Sequence, residues 1–380
     1  VTPTGGARLA SSEPGHHRRP RLKPTIEVFP AGDGDLYLLA GDERHLRVRS
    51  ASPAQIALLS ALDGRPVDEV ARGLAARGHR MAREELDATI DQLAALDLVE
   101  DAADDRRLGL TEGEVERFER QLRYFGDVAD EPRAALQRRL LNSHVAVLGL
   151  GGLGSWAAYA LACTGIGRMT LVDDDVVELS NLNRQILYTE ADLGRAKAEV
   201  AAERLRAFHS QLVVNAESRR LTSEAAIEEL VAGTDLVIEL ADQPMGLIGS
   251  WVNAACRRLG VPHIAAGQFP PRVRIGPLFV PGRSACYECQ LTEVRRHHPL
   301  FDELSGWRRA HPSPAATFGP ACGLIGSLLA NEAVNFLTGL CEPATLGRML
   351  QVDLRTLAVS WEQIAPDGNC PVCTTCGPSE

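Results

Sequence analysis

Lysine is nearly missing from this sequence. Only Lys23 and Lys197 occur, and arginine makes up the remainder of the 40 basic residues. A chain that uses arginine almost wherever a positive charge will do keeps a mid-chain lysine where a compact ammonium serves and a wide planar fork does not. Net positive charge is missing too: 40 basic against 50 acidic residues leaves −10. That disfavours nucleic acid as a partner, because broad binding to a phosphate backbone takes a basic surface. No apolar run approaches the ~18–20 residues of a membrane span, and residues 1–23 hold no apolar signal-peptide core. The expectation is a cytoplasmic chain without a membrane partner. Nine cysteines, an odd number, point there to thiols or a metal site rather than to a disulfide framework. No period of ~20–50 residues recurs, which excludes a solenoid. What is present is ordinary for a packed protein: 380 residues, 45% hydrophobic and 24% charged, enough for two or three domains.

Residues 1–23 are rich in Gly, Pro, Arg and Ser and read as a disordered tail. Residues 24–101 read as a small α+β domain. Short strand-like runs at 25–29, 36–40 and 45–49 are separated by the turn pairs Asp33-Gly34 and Gly41-Asp42. Three helical patterns follow. Ser52-Pro53 opens the first, Val67, Val70 and Leu74 mark the second, and Leu86, Ile90, Leu93 and Leu96 share one face of the third. A winged-helix shape of this kind is a binding module more than an enzyme. Residues 102–112 read as a linker. Thr111–Phe125 reads as one helix with a capping box at Thr111 and Glu114. From Asn142 to about residue 360, strand-like runs at 144–149, 168–173, 212–216, 235–240 and 262–265 alternate with helical patterns. That is the signature of a Rossmann-like α/β domain with a mostly parallel sheet.

The chemistry concentrates in three places. The first is Gly149-Leu150-Gly151-Gly152-Leu153-Gly154, between the apolar run 145–148 and a helical pattern. Glycines let a phosphate approach the backbone, and the helix start offers free N–H groups and a positive dipole end. Asp173 closes the next strand, well placed for a ribose hydroxyl. The second is the polar run from Asp173 through Asp175, Ser180, Asn181, Asn183, Arg184 and Gln185. Asn181 and Arg184 can reach phosphate oxygens, arginine through charge-assisted bonds. Lys197 follows in Gly194-Arg195-Ala196-Lys197, a candidate phosphate partner. The third is a pair of Cys-x-x-Cys knuckles, Cys286/Cys289 and Cys370/Cys373. Four thiolates so paired suit a closed, structural zinc site. Cys376 is an alternative ligand or a free thiol. Cys163, Cys256 and Cys322 read as core thiols, Cys341 lies near a helix end, and His297-His298 reads as a solvated loop pair.

Together, the Gly-x-Gly-Gly-x-Gly loop, Asp173, residues 180–185, Lys197 and Ala241-Asp242 resemble the ThiF/MoeB-type adenylating domain of ubiquitin-activating-like enzymes. The resemblance spans roughly residues 116–373, within an adenylating domain expected over 113–373. It implies ATP and Mg²⁺ as cofactors and transfer of AMP to a carboxylate. It further implies that Gly149, Gly151, Gly152 and Gly154 cradle the nucleotide with Asp173 and Asp175, and that Asp173 holds the ribose. Asn181, Arg184 and Gln185 would surround the phosphates, Lys197 would neutralise the α-phosphate, and Asp242 would bind magnesium. In a homodimer, Arg120 (or Arg123) would cross onto the γ-phosphate of the partner's site; a helix-surface charge is the plainer alternative.

Residues 24–101 more loosely resemble the PqqD-like peptide-recognition domain of ribosomal peptide natural-product pathways. In such domains a leader peptide adds a strand beside the third strand, here His45–Arg49. The combined expectation is ATP-dependent adenylation of a carboxylate on a ribosomally made precursor peptide, with leader capture by the N-terminal domain. Two alternatives stand beside it. One is a leader-binding partner presenting peptide to a YcaO-type cyclodehydratase, a separate maturation enzyme. The other is a sulfur-carrier protein adenylyltransferase. Nicotinamide-dependent oxidoreduction is disfavoured, since it does not need the Asn-Arg-Gln run.

Overall fold

The structure, a computed structural model, describes residues 18–31, 34–40, 44–311 and 315–373. Residues 1–17 of the expected tail, Asp33, the Gly41-Asp42 turn and Cys376 lie outside the described residues. The chain divides into two compact units between Arg138 and Arg139.

The first unit begins with β1 (Pro20–Leu22), inside the segment expected to be a tail. A meander of β2 (Ile26–Pro30), β3 (Leu36–Ala40) and β4 (Arg44–Val48) follows, antiparallel in the order β2-β3-β4. Three helices come next: α1 (Pro53–Ala61), α2 (Val67–Ala76) and α3 (Arg83–Ala95). Ser52 and Gln55 close a reciprocal capping box on α1, satisfying N–H groups its first turn cannot. Leu36 and Leu38 of β3 pack with Leu58, Val70, Leu74, Leu86 and Ile90 of the helices in one core. β5 (Val99–Asp101) then pairs antiparallel with β1. Backbone pairing with β5 is why residues 20–22 are ordered although their composition reads as tail.

The expected linker is partly helical. It contains α4 (Ala103–Arg107), whose Asp105 accepts from Arg133 at 2.8 Å and Arg21 at 3.1 Å. The single helix expected at 111–125 is two, α5 (Glu112–Arg117) and α6 (Glu119–Val128). The break is at Phe118, which leaves helical geometry (φ −99°, ψ 15°) and is buried. Thr111 and Glu114 do form the expected capping box. The division between units falls within α7 (Arg133–Asn142).

The second unit is an α/β domain. Its parallel half runs β6 (His144–Leu148), α8 (Gly152–Thr164), β7 (Arg168–Val172), α9 (Lys197–Phe208), β8 (Val213–Glu217), α10 (Glu224–Val231), β9 (Leu236–Glu239), α11 (Ile248–Leu259) and β10 (His263–Phe269). Next come β11 (Arg272–Phe279), α12 (Tyr287–His297), α13 (Phe301–Ala310), α14 (Gly319–Thr338), β12 (Arg348–Asp353) and β13 (Ala358–Gln363). The eight strands lie in the order β13-β12-β11-β10-β9-β6-β7-β8. Pairing is parallel from β10 to β8 and antiparallel from β10 to β13. β6 lies between β7 and β9, so the strand order reverses there. In open α/β sheets the crevice for a ligand forms at the carboxyl end of such a strand.

The four residues 145–148 of β6 are wholly buried, as a strand covered on both faces requires. α14 is apolar and 20 residues long, enough by length and composition to cross a bilayer. It is a core helix of this unit, packed on α8 with Ile325 and Leu329 fully buried. Gly326 permits that approach, because a Cβ there would lie 2.5 Å from the Cβ of Trp156.

Candidate active site

The glycine loop leaves β6 at the reversal point. Gly149 adopts φ +91°, and a Cβ on it would lie 2.7 Å from the Ala241 nitrogen and the Leu240 oxygen. A Cβ on Gly154 would lie 1.8 Å from the Gly149 carbonyl oxygen. The loop is therefore folded tightly on itself, and side chains at these positions are excluded by backbone rather than by a ligand. α8 opens at Gly152 with no side-chain cap, so its first N–H groups are offered to an anion.

Asp173 follows β7 and sits against this loop. Its carboxylate accepts from the Leu150 N–H at 2.6 Å and the Asp175 N–H at 2.9 Å. Burial pushes the Asp173 carboxyl above its ordinary range, against the pull of Lys197 and those two donors. Lys197 is the first residue of α9 and is buried, with its ammonium 2.8 Å from the exposed carboxylate of Asp175. A bridge between Val176 and Ala196, with the Lys197 N–H donating to the Asp175 carbonyl at 3.0 Å, fixes the two segments together. Asp173, Asp174 and Asp175 bring carboxylate oxygens within 4.8 Å of one another.

The Asn-Arg-Gln run forms a tight turn. Asn181 is buried, and its carbonyl oxygen accepts from the Glu178 N–H at 3.0 Å. This side chain shapes the 3-10 turn at 179–181. Arg184 donates to the Ser180 carbonyl at 2.7 Å and to Asn183 at 3.1 Å. Gln185 is buried with its Oε1 lacking a hydrogen-bond partner among the described residues. A buried orphan acceptor costs on the order of 1–3 kcal/mol, so a donor from a bound group is the natural completion. A cavity of about 540 Å³ opens here, lined by Trp156, Leu182, Arg184, Gln185, Gly319 and Gly323 among others.

Several supporting residues carry no sequence signal. The Trp156 indole donates to the Arg184 carbonyl at 3.0 Å, and the Tyr188 hydroxyl donates to the Leu150 carbonyl at 3.0 Å. Burial pushes the Tyr188 phenol far up, so it remains a donor. Cys322 is in the floor of the loop; a Cβ on Gly152 would lie 2.7 Å from its sulfur. Its neighbour Gly319, the first residue of α14, lets the Asn183 carbonyl approach to 2.7 Å of its Cβ position. The recurring glycines at 319, 323 and 326 were the available hint.

Not every expected residue joins this group. Asp242 lies in the exposed segment after β9, outside the cluster formed by Asp173, Asp174 and Asp175. Arg120 belongs to the other unit; its side chain is 87% exposed and 3.2 Å from Glu119. Arg123 pairs with the same Glu119. His297 ends α12 rather than lying in a loop, and both it and His298 are exposed. Cys163 is exposed on α8, not core as its apolar neighbours suggested; Cys256 and Cys322 are buried as expected.

The four knuckle cysteines converge. Cys286 lies 3.8 Å from Cys289 and 3.6 Å from Cys370, and Cys289 lies 3.6 Å from Cys373, sulfur to sulfur. A tetrahedron of Zn–S bonds of ~2.3 Å spaces its sulfurs by ~3.8 Å. The Asp367 N–H donates to Cys289 at 3.4 Å and the Cys373 N–H to Cys370 at 3.5 Å. The donor set and its spacing fit zinc. Without a metal, burial would push the Cys373 thiol up to about 11.

The ThiF family profile matches residues 118–373. The sulfur carrier protein ThiS adenylyltransferase of Escherichia coli K12 is 35% identical over 239 residues, covering 62% of this chain and 88% of that protein. The molybdopterin-synthase adenylyltransferase of the same organism is 30% identical over 264 residues, covering 70% and 98%. In fold, the chain is similar to E. coli MccB solved with ATP, at TM-score 0.68, 22% identity and 93% and 99% coverage. MccB, a microcin C7 biosynthetic enzyme, has also been solved in complex with N-formylated MccA. A similar likeness holds to PaaA, at TM-score 0.71, 26% identity and 90% and 98% coverage. With a glycine loop, a buried lysine and an Asn-Arg-Gln turn gathered at the sheet's reversal point, the chain belongs to the ThiF family of adenylyltransferases.

Proposed function

We propose that this adenylyltransferase activates a carboxylate of a ribosomally made precursor peptide, and that the N-terminal unit captures the peptide's leader. One observation carries the reading. The sulfur-carrier and molybdopterin-synthase relatives cover 62% and 70% of the chain, and the family profile begins at residue 118. MccB, known in complexes with ATP and with MccA, matches 93%, a span that must include most of the N-terminal unit.

The chemistry follows from the residues. A carboxylate oxygen attacks the α-phosphorus of ATP, an O–P bond forms, and the α–β anhydride breaks to release pyrophosphate and leave acyl-AMP. The carboxylate is already ionised at neutral pH, so no general base is required. The difficulty is charge: an anion must approach a polyanion. Gly149, Gly151, Gly152 and Gly154 give the phosphates backbone N–H groups, and Asp173 takes the ribose. Lys197 and Arg184 offset negative charge around the α-phosphate, with Asn181 and Gln185 completing the phosphate shell. Mg²⁺ would be held by Asp242, and would screen the phosphate charge. Binding both reactants supplies much of the remaining rate.

In a homodimer, Arg120 would reach the partner's γ-phosphate; its exposure suits such a role. On the N-terminal unit, β4 is an edge of the β2-β3-β4 sheet, so its outer backbone groups are available for a leader strand in a PqqD-like manner. Zinc held by Cys286, Cys289, Cys370 and Cys373 would be structural. All eight described cysteines are free of disulfides, in keeping with a cytoplasmic setting.

A second reading, adenylation of a sulfur-carrier protein, is favoured by the 35% identity to the ThiS adenylyltransferase. Pyrophosphate release separates the two. Incubation with ATP and either the precursor peptide encoded beside the gene or a small carrier protein ending in Gly-Gly is expected to give release with the peptide. Release with the carrier alone would overturn the proposal in favour of the second reading.

A further inference from the structure

The second residue of the glycine loop, Leu150, is fully buried, and its backbone is gripped on both sides. The Leu150 N–H donates to the Asp173 carboxylate at 2.6 Å, and the Leu150 carbonyl accepts the Tyr188 hydroxyl at 3.0 Å. A buried carbonyl needs a donor. Here the chain has left β6 and has not yet entered α8, and among the described residues no backbone N–H reaches this oxygen. Tyr188 fills the role from a distance of 38 residues, and it too is buried. It stands three residues after Gln185, so one phenol ties the segment of the Asn-Arg-Gln turn to the glycine loop.

That bond sets the direction of the next donor. The Leu150–Gly151 peptide is trans, and in a trans peptide plane the C=O and the following N–H point opposite ways. With the carbonyl turned in to the Tyr188 hydroxyl, the Gly151 N–H is turned away from the buried ring. Gly151 is the N-cap of α8 and is only half-buried. A Cβ on it would lie 3.9 Å from the Gln185 amide nitrogen, on the same side chain whose Oε1 has no partner. If this peptide flipped, a carbonyl oxygen would replace an N–H at the start of α8 and repel an anion there. Donors fixed before the ligand arrives need no reorganisation to bind it.

We infer that Tyr188 is a positioning residue for the nucleotide: by holding the Leu150 carbonyl, its hydroxyl aims the Gly151 N–H at a phosphate of ATP. The inference rests on the reading of the glycine loop as the phosphate cradle.

The test is calorimetric binding of ATP and of adenosine to the full-length protein, wild type against Tyr188→Phe. The substitution keeps the ring and removes only the hydroxyl. Affinity for ATP is expected to fall roughly tenfold, and affinity for adenosine, which has no phosphate, to stay at the wild-type value. Thr234→Val is the comparison, because its buried hydroxyl donates to the Val231 carbonyl at 2.8 Å elsewhere in the same unit. It is expected to lower the unfolding temperature and to leave both affinities unchanged. ATP bound by Tyr188→Phe as tightly as by wild type would overturn the role of Tyr188. Equal weakening of ATP and adenosine, or an equal loss of ATP affinity in Thr234→Val, would overturn the aim at phosphate. A second measurement uses the wild type alone, should Tyr188→Phe not fold. In protein labelled with ¹⁵N-glycine, the Gly151 amide resonance is expected to move when ATP binds and to stay in place with adenosine. A Gly151 amide indifferent to bound ATP would overturn the inference and leave the adenylating reading standing. Wild type that binds no ATP would overturn both.

Discussion

Lys197 is held by Asp175 in a pair whose partner is mostly in solvent, so the ammonium is positioned at the glycine-loop end of the sheet. That is the residue-scale fact on which the site depends. A guanidinium in the same buried space would be wider and planar, and could not present a point charge from the same place. Gly154 offers a steric test. A Cβ there would sit 1.8 Å from the Gly149 oxygen, so Gly154→Ala is expected to lose roughly 1–3 kcal/mol of stability and to bind ATP poorly. A variant with wild-type unfolding temperature and ATP affinity would refute the loop geometry. Asp173 offers a test in pH. Its carboxyl is raised, chiefly by burial, so on acidification it takes up a proton above the ordinary carboxylate range. If it binds ribose as an anion, ATP affinity is expected to fall on acidification through that raised value. Asp173→Asn should bind weakly at every pH with that dependence gone; an unchanged pH profile in this variant would assign the titration elsewhere.

At the scale of elements, what was legible in the sequence had a local cause. The β6 run and its loop were readable because four apolar residues meet glycines that a backbone collision requires. The helix start at Ser52-Pro53 and the capping box at Thr111 and Glu114 were readable because their partners lie within a few residues. What was not legible depended on partners distant in sequence. β1 exists through its pairing with β5, Phe118 breaks a helix to bury its ring, and Cys163 has apolar neighbours yet faces outward. β13 is exposed along nearly its whole length, so no burial alternation announced it. Within the N-terminal unit, α4 is held by Asp105, whose carboxyl burial raises but Arg133 and Arg21 draw down further, leaving it below its ordinary value. A lowered carboxyl contributes stability above its unfolded pKa and loses it as pH falls through the lowered folded value. Asp105→Asn is therefore expected to cost about 2 kcal/mol at pH 7, because it takes from the buried Arg133 its two-pronged partner and leaves it Glu100 at 3.5 Å. In urea unfolding, the gap from wild type should narrow below about pH 4. A gap constant with pH would remove the ion pair as its cause.

At the scale of the whole molecule, an acidic chain nearly devoid of lysine carries two units with separate cores, each legible for a different reason. The adenylating unit was readable in its motifs, since glycines, charges and paired cysteines were spaced by chemistry. The N-terminal unit was readable only in its pattern of elements, and the surface proposed for leader capture is a backbone edge, which no residue type marks. The cysteine cluster joins Cys286 and Cys289 at the start of α12 to Cys370 and Cys373 near the end of the described chain. Stripping the zinc proposed there with a chelator should lower the unfolding temperature by about 5–10 °C, the shift expected for losing a saturating ligand from a unit of this size. No shift on stripping, with zinc shown to have left, would make the cluster irrelevant to stability.

The most direct test of the central claim, that this site adenylates a peptide carboxylate through Lys197, is ATP–pyrophosphate exchange in the presence of the precursor peptide. Wild type and Lys197→Arg are compared, because the variant keeps the charge in a chain that uses arginine almost everywhere else. The account expects peptide-dependent exchange in the wild type, reduced at least a hundredfold (about 2.7 kcal/mol in the barrier) in a folded Lys197→Arg protein. Exchange undiminished in Lys197→Arg, or absent from the wild type with its peptide bound, would contradict it.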